Sequence, residues 1–234
     1  DPLPRWYNFY NVMMGNPDLK NEITDKIAID YLLNFRKLSL VNELYFYNTT
    51  DKIETIQSIY RDQIIQNRTE NMGNEKTFGL EINAIWSATN WMQISEKLDF
   101  IDSYLDVRLA QIAQQRRYQQ WYSITTADFI ISPTFRLQLD FSYFGPAMTA
   151  QSNVDQCYMA GLSIRKSFMD RKLTFTLSGR DVPGFYKKVE HVQGAGFNQV
   201  MTMRNNFPIR FSVSYKFNQY KRDERSVAKA PLVE

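Results

Sequence analysis

The sequence predicts an all-β protein, the antiparallel wall of a transmembrane β-barrel, on three observations. Apolar and polar residues alternate along most of the chain, most of the alternating runs exceed ten residues, and the connections switch strictly between short turns and longer polar loops. A period of two marks a strand with one wet face. Soluble strands usually end near 5 or 6 residues, whereas about 9 to 11 tilted residues are needed to cross a bilayer's hydrocarbon. Turns trimmed on one side and loops elaborated on the other suit a barrel held in a membrane, and a soluble meander has no reason to segregate them.

Taken in order, residues 1–23 precede the first long run and read as a loop segment on the long-loop side. A strand is expected at 24–35, where Ile27, Ile29, Tyr31, Leu33 and Phe35 share a face, and after a turn at Arg36–Lys37 a second at 38–48. Residues 49–74 read as a long polar loop. The third strand, 75–87, aligns Phe78, Leu80, Ile82, Ala84 and Trp86; a turn at Ser87–Asn90 leads to the fourth, 91–106. A loop at 107–116 precedes the fifth strand, 117–131, and Ser132–Pro133 turns the chain into the sixth, 134–145.

The sixth strand contains the clearest alternation, TFRLQLDFSY at 134–143. Its odd positions, Phe135 to Tyr143, are expected to face lipid, and its even positions, Arg136 to Ser142, the lumen. A loop at 146–154, a strand at 155–168, a turn at Met169–Arg171 and a strand at 172–183 with Leu173, Phe175 and Leu177 follow. A loop at 184–204 then leads to the ninth strand, 205–217, and a polar tail, 218–234. Phe35, Trp86, Trp91, Phe129, Phe168 and Phe217 gather at the short-turn ends, as an interfacial girdle requires. A soluble barrel or sandwich also alternates, and the polar face, with Lys26, Asp30, Glu81, Arg136, Asp140 and Arg165, does not by itself decide between them.

Composition narrows the chemistry. With 28 Lys+Arg against 25 Asp+Glu the net charge is +3, and no segment concentrates positive charge as a nucleic-acid-binding face would. One cysteine, Cys157, excludes an internal disulfide and a CxxC site; one histidine, His191, excludes His-rich zinc sites and most Ser/His/Asp machinery. No catalytic residue, metal ligand set or cofactor is expected. Asp99, Asp102 and Asp106 are too widely spaced for a calcium loop, and the GAG at 194–196 lacks the strand-to-helix setting of a phosphate loop. No signal peptide is read in residues 1–25, and the opening DPLPRWYNFY is unlike a native start, so the chain is expected to be part of something longer.

Four motifs in order carry a family resemblance over about 200 residues. GNPDLKNE (15–22) stands before the first long strand, and KTFGLEINAIWSATNWMQI (76–94) reads as strand, Trp-bearing turn and strand. YMAGLSIRKSFMDRKLTFTLSGRDV (158–182) reads as the penultimate hairpin, and FSVSYKF (211–217) as a terminal strand. Together they resemble the C-terminal part of the barrel of TonB-dependent outer-membrane receptors, within the outer membrane protein β-barrel family. Phe211, Val213, Tyr215 and Phe217 occupy the positions of the terminal assembly signal in such barrels, although the tail after Phe217 departs from those that stop on the final aromatic.

The resemblance implies a bacterial outer-membrane location, with this chain forming the last nine or so strands of a 22-stranded barrel whose GNPDLKNE loop lies outside the cell. It implies as partners outer-membrane lipid, an N-terminal plug domain absent from this chain, the TonB complex acting through the missing N-terminal part, and the barrel-assembly machinery. The implied function is TonB-dependent uptake of a scarce nutrient: a siderophore, glycan, vitamin or peptide. A non-transporting barrel used for adhesion or structure, and a small outer-membrane hydrolase barrel, are the alternatives. An odd number of strands further predicts that the first, 24–35, has no native partner within the chain and leaves an unpaired edge.

Aromatic residues of the long-loop side, Trp6, Tyr7, Tyr10, Phe185 and Tyr186, with Tyr118 and Trp121 at a strand top, are the candidate ligand contacts, since rings offer large stiff area at low entropy cost. Packing of loops or membership of an outer aromatic belt is the structural alternative for each. His191 reads as a solvated loop residue and Cys157 as an inert small side chain.

Overall fold

A computed structural model of the chain describes residues 3–61, 64–109, 112–194, 196–204 and 209–217, without the side chains of 109 and 112. The tail 218–234, the first four positions of the expected last strand (205–208) and the middle residue of the GAG segment lie outside the described residues.

Among the described residues fifteen strands form two sheets. A hairpin of β1 (Arg5–Asn8) and β2 (Asn11–Met14) comes first. The main wall follows as β3 (Ile23–Asn34), β4 (Leu38–Tyr60), β5 (Ile64–Trp86), β6 (Met92–Leu109), β7 (Ile112–Ser132) and β8 (Phe135–Phe144). Two short strands, β9 (Ala147–Met148) and β10 (Ser152–Val154), interrupt it before β11 (Cys157–Phe168) and β12 (Leu173–Gly179). A second hairpin, β13 (Lys188–Gly194) and β14 (Phe197–Met203), precedes β15 (Ile209–Tyr215). The nine expected strands are β3 to β8, β11, β12 and β15, each antiparallel to its neighbour in that order.

Register separates the two faces, because residues directly opposite across a ladder share a side. Leu44 lies opposite Ile29 and Leu80, Leu80 opposite Phe100, and Phe100 opposite Trp121. Further along, Leu139 meets Leu162 and Leu177 meets Phe211. This apolar face is uncovered: Leu44, Phe100, Phe141 and Phe211 are 57%, 45%, 44% and 63% exposed. Water would not tolerate so large a contiguous patch, and lipid requires one. The opposite face aligns Glu43, Glu81, Asp99 and Tyr122, and, farther along, Gln138, Ser163, Ser178 and Arg210. The expected division of Phe135–Tyr143 from Arg136–Ser142 holds.

Aromatic rings band the apolar face at two heights. Near the short turns, Trp91 stacks with Phe129 at 6.2 Å and Phe168 meets Phe175 edge-on at 5.6 Å. Higher up, Phe46 meets Phe78 at 4.6 Å, Phe100 meets Trp121 at 6.4 Å, and Tyr143 lies between Trp121 at 4.3 Å and Tyr158 at 5.4 Å. The steps from Trp86 to Phe78 and from Phe129 to Trp121 are eight residues each. At about 3.3 Å per residue that is roughly 26 Å of strand. Tilted by about 40°, it rises about 20 Å, close to the apolar height of an outer-membrane barrel.

Several expected boundaries are corrected. The loops expected at 49–74 and 107–116 are largely strand: β4 and β5 each run 23 residues and pair up to Tyr60 opposite Ile64, and β6 and β7 continue to Leu109 opposite Ile112. Above the upper aromatic band neither face meets lipid, and register shifts on either side of Lys52 change the phase, so the strict alternation lapses. The ladder persists on β-branched residues such as Ile53, Thr55, Ile56, Ile64 and Thr69, which suit a pleated surface. The loop segment 1–23 contains the β1–β2 hairpin, and β2 runs parallel to β5 from Asn11 opposite Ile65 to Met14 opposite Arg68. The loops at 146–154 and 184–204 contain β9, β10, β13 and β14. The last strand ends at Tyr215, short of Phe217.

The long ladder is broken where β4 and β5 leave the upper band. Register shifts lie on either side of Lys52, with Asp51 at φ 51° and Gly73 at φ 131°. A Cβ on Gly73 would lie 1.9 Å from the Asp106 carbonyl oxygen, so this bulge requires glycine. At the sheet's side, β3 does have one partner, correcting the expectation of none: it pairs with β4 from Ile23 opposite Thr50 to Asn34 opposite Ser39. Its other edge, like the outer edge of β15, meets no strand among the described residues.

Candidate functional site

On the long-hairpin side the wall supports a cap. β4 outruns its partner β3 beyond Thr50, which leaves backbone groups along its upper edge to be satisfied otherwise. Gln151 does so as a strand would: its Oε1 accepts from the Gln57 N–H at 2.7 Å and its Nε2 donates to the Gln57 carbonyl at 3.0 Å. Lower on the same edge the Ile53 N–H donates to the Glu22 carboxylate at 2.7 Å.

The segment 147–154 is tied from both sides. Glu54 of β4 accepts from the Ala150 N–H at 3.0 Å. From β7, the Arg116 guanidinium donates to the Ala150 carbonyl at 2.9 Å, to the Thr149 carbonyl, and to Asn153 Oδ1 at 2.7 Å. Because β5 and β6 lie between β4 and β7, the strap crosses the polar face of the wall. It closes on Met72, Leu105, Val107 and Ala150, with Ile56 packed against them. This is the main apolar core of the described residues, and Ala150 is fully buried.

The second sheet extends the cap in the order β14-β13-β10-β9. Ser152 pairs with Val192, and the Gln193 N–H donates to the Gln151 carbonyl at 2.8 Å. His191 thus stands on a strand rather than in a loop, its Nε2 3.3 Å from Asp155 Oδ2. Beneath the strap, Lys52 pairs with Glu75 and Glu54, and the Tyr118 hydroxyl donates to Glu75 at 3.2 Å. Burial opposes the Lys52 charge, but the adjacent Glu75 and Glu54 carboxylates outweigh it and hold the ammonium pKa above its ordinary value. Burial and the Glu75 charge push the Tyr118 phenol up, and burial works against the Arg116 cation.

Below the cap the polar face is a network of side chains. Tyr45 donates to Asp99 at 3.0 Å, Lys97 pairs with Glu81 at 2.9 Å, and Asp140 accepts from Thr126 at 3.0 Å and Gln138 at 2.8 Å. Tyr45 lies against Gly79, where a Cβ would come within 2.0 Å of its ring. A concavity of about 790 Å³ along this face is lined by Asp140, Ser142, Ser163, Arg180 and Arg210. Among the described residues no group of three His, Cys, Asp or Glu side chains is placed to hold a metal ion.

The candidate aromatic residues do not converge. Trp6, Tyr7 and Tyr10 are exposed on the β1–β2 hairpin at 53%, 58% and 70%. Tyr118 lies on the polar face under the strap, whereas Trp121 stands on the apolar face in the upper band. Phe185 and Tyr186 follow β12, their N–H groups donating to Asp181 Oδ1 and Oδ2, each at 2.9 Å. Of the expected assembly positions, Phe211, Val213 and Tyr215 share the apolar face of β15, and Phe217 packs edge-on against Tyr215 at 4.7 Å. The residues that build the cap, Glu54, Arg116 and Gln151, were not singled out by sequence reasoning. Gln57 and Gln151 are 94 residues apart, and no local pattern joins them.

The family model of the outer membrane protein beta-barrel family matches residues 1–215. No curated protein matches the chain.

Proposed function

The chain belongs to the outer membrane protein beta-barrel family and lies in the bacterial outer membrane; from that premise we propose that it supplies wall and extracellular vestibule to a TonB-dependent uptake receptor for a scarce nutrient too large for porins. The single observation that supports this reading best is the strap. A pore for small solutes gains from an open mouth, whereas a receptor gains from surfaces folded over the lumen that meet a ligand before it enters. In this proposal the long hairpins rise on the extracellular side, and the polar face beneath them lines the path. A plug domain elsewhere in the protein is the element on which the TonB complex acts. Barrel-assembly machinery recognises the strand bearing Phe211, Val213 and Tyr215, with Phe217 just beyond it. No enzymatic step belongs to the proposal.

A second reading, adhesion without transport, draws on the exposed Trp6, Tyr7, Phe9 and Tyr10 hairpin. The test compares cells with and without the intact gene for uptake of labelled ferric siderophore, cobalamin, oligosaccharide and oligopeptide, with and without a protonophore. Receptor function requires that at least one probe enter only with the gene and only while the membrane is energised. Uptake unchanged by the deletion for every probe, with loss of surface attachment, favours adhesion instead.

A further inference from the structure

At the short-turn end of the polar face, Arg136, Arg165, Arg171 and Lys216 line one concavity of about 250 Å³. Arg136 and Arg165 are directly opposite across the β8–β11 ladder, an arrangement in which like charges repel. None of the four makes an ion pair or a side-chain hydrogen bond among the described residues, although salt bridges are frequent higher on the wall. Asp128, which lines a neighbouring concavity together with Arg136, and Asp170, next to Arg171 in sequence, form no ion pair with them among the described residues. The Ser167 and Thr174 hydroxyls lie in the same lining 3.0 Å apart, one donating to the other, which leaves one neutral O–H to a ligand.

Arg171 comes from the short turn between β11 and β12. It stands at φ 66°, after Met169 and Asp170, each at φ 52°, in a turn closed by the Lys172 N–H on the Met169 carbonyl at 3.0 Å. Both central residues are left-handed, the geometry for which hairpins ordinarily use glycine at the second position. This turn brings Arg171 to the lining of the same concavity.

The geometry points to an oxyanion site on the lumenal wall at its periplasmic end, taking a multiply charged group of the phosphate or pyrophosphate class. Four cations without an ion pair among the described residues suit a ligand carrying at least two negative charges, and guanidinium forks match phosphate oxygens bidentately. The concavity suits a phosphoryl group rather than a whole drug-sized molecule. The polar face, not the lipid face, holds the site, so a membrane headgroup is not the source. The inference stands on this wall alone and goes beyond the uptake proposal.

The test is calorimetric titration of the full-length protein in detergent with inorganic pyrophosphate, at ionic strength held constant with chloride. Saturable binding near one per chain is expected, weakened at least tenfold in the Arg136→Gln, Arg165→Gln double variant. Should that variant fail to fold, Arg171→Gly decides: glycine relieves the left-handed backbone, so folding is kept while affinity drops several-fold. Lys172→Gln, which removes a neighbouring charge outside the concavity, is expected to bind as wild type does. Absence of saturable binding, or equal losses in Lys172→Gln and Arg171→Gly, overturns the site. Because no uptake is measured, either result is independent of whether the barrel transports.

Discussion

Arg116→Ala is the most direct test that the strap is held as a closed element. Its guanidinium serves the Thr149 and Ala150 carbonyls and the Asn153 amide oxygen. Once it is removed, the fully buried Ala150 keeps only the Gln114 amide, at 3.4 Å, on its carbonyl. Hydrogen bonds to charged groups contribute about 1.5–3 kcal/mol each, but a strap that opens regains water on the freed carbonyls, so the net loss for the set is about 2–4 kcal/mol. At about 1.4 kcal/mol per tenfold, opening of the strap becomes roughly 30- to 700-fold more frequent. Amide hydrogen exchange reads this at Ala150, Gln57 and Gln193, whose N–H groups all end on the strap or its anchors. Leu44, deep in the β4–β5 ladder, serves as the unchanged control. Arg116→Lys is expected to fall between, since it retains charge without the fork. Rates at all three amides within threefold of wild type would refute the strap as a held element.

Three further outcomes are expected. Leu139→Arg, on the apolar face, costs about 2–4 kcal/mol in folding into bilayers if it sits near the midplane, while Gln138→Arg on the lumenal face costs far less; denaturant titration in liposomes measures both. Gly79→Ala forces a Cβ into the Tyr45 ring and costs about 1–3 kcal/mol, and adding Tyr45→Ala recovers part of it, so a double-mutant cycle with no coupling contradicts the contact. Replacing Tyr215 and Phe217 with Asp lowers surface abundance at equal expression, whereas charge changes in 218–234 leave it unaltered; the reverse pattern moves the assembly signal out of β15.

The transmembrane part was legible because lipid on one side and a polar lumen on the other impose a strict period of two. Phe135 to Tyr143 shows it without exception, and all nine strands were found where such runs occur. The upper halves of β4 and β5 were not legible. There lipid no longer covers one face, the bulge at Lys52 shifts the phase, and KIETIQSIY reads as a loop although its backbone stays in the ladder and Ile56 packs under the strap. The aromatic candidates fared according to strand phase. Tyr118 and Trp121 differ by three residues, an odd number, and a period of two puts them on opposite sides of the sheet. The strap escaped notice because a glutamine imitating a strand edge has no sequence signature; only the fold brings Gln151 to Gln57.

If the long hairpins face outward as proposed, the continuity of β4 through β7 above the upper aromatic band bears on how this surface survives proteolysis. A protease binds its substrate as an extended strand and needs free backbone groups to do so. Here those groups are already engaged along most of 38–60 and 64–86, and strap and hairpins shield the margins. Susceptible bonds are thereby confined to the bends between strands, and a nick there leaves the two arms of a hairpin zipped together. Tall structures built this way tolerate proteases at little risk of loss, since cutting the chain does not release the pieces.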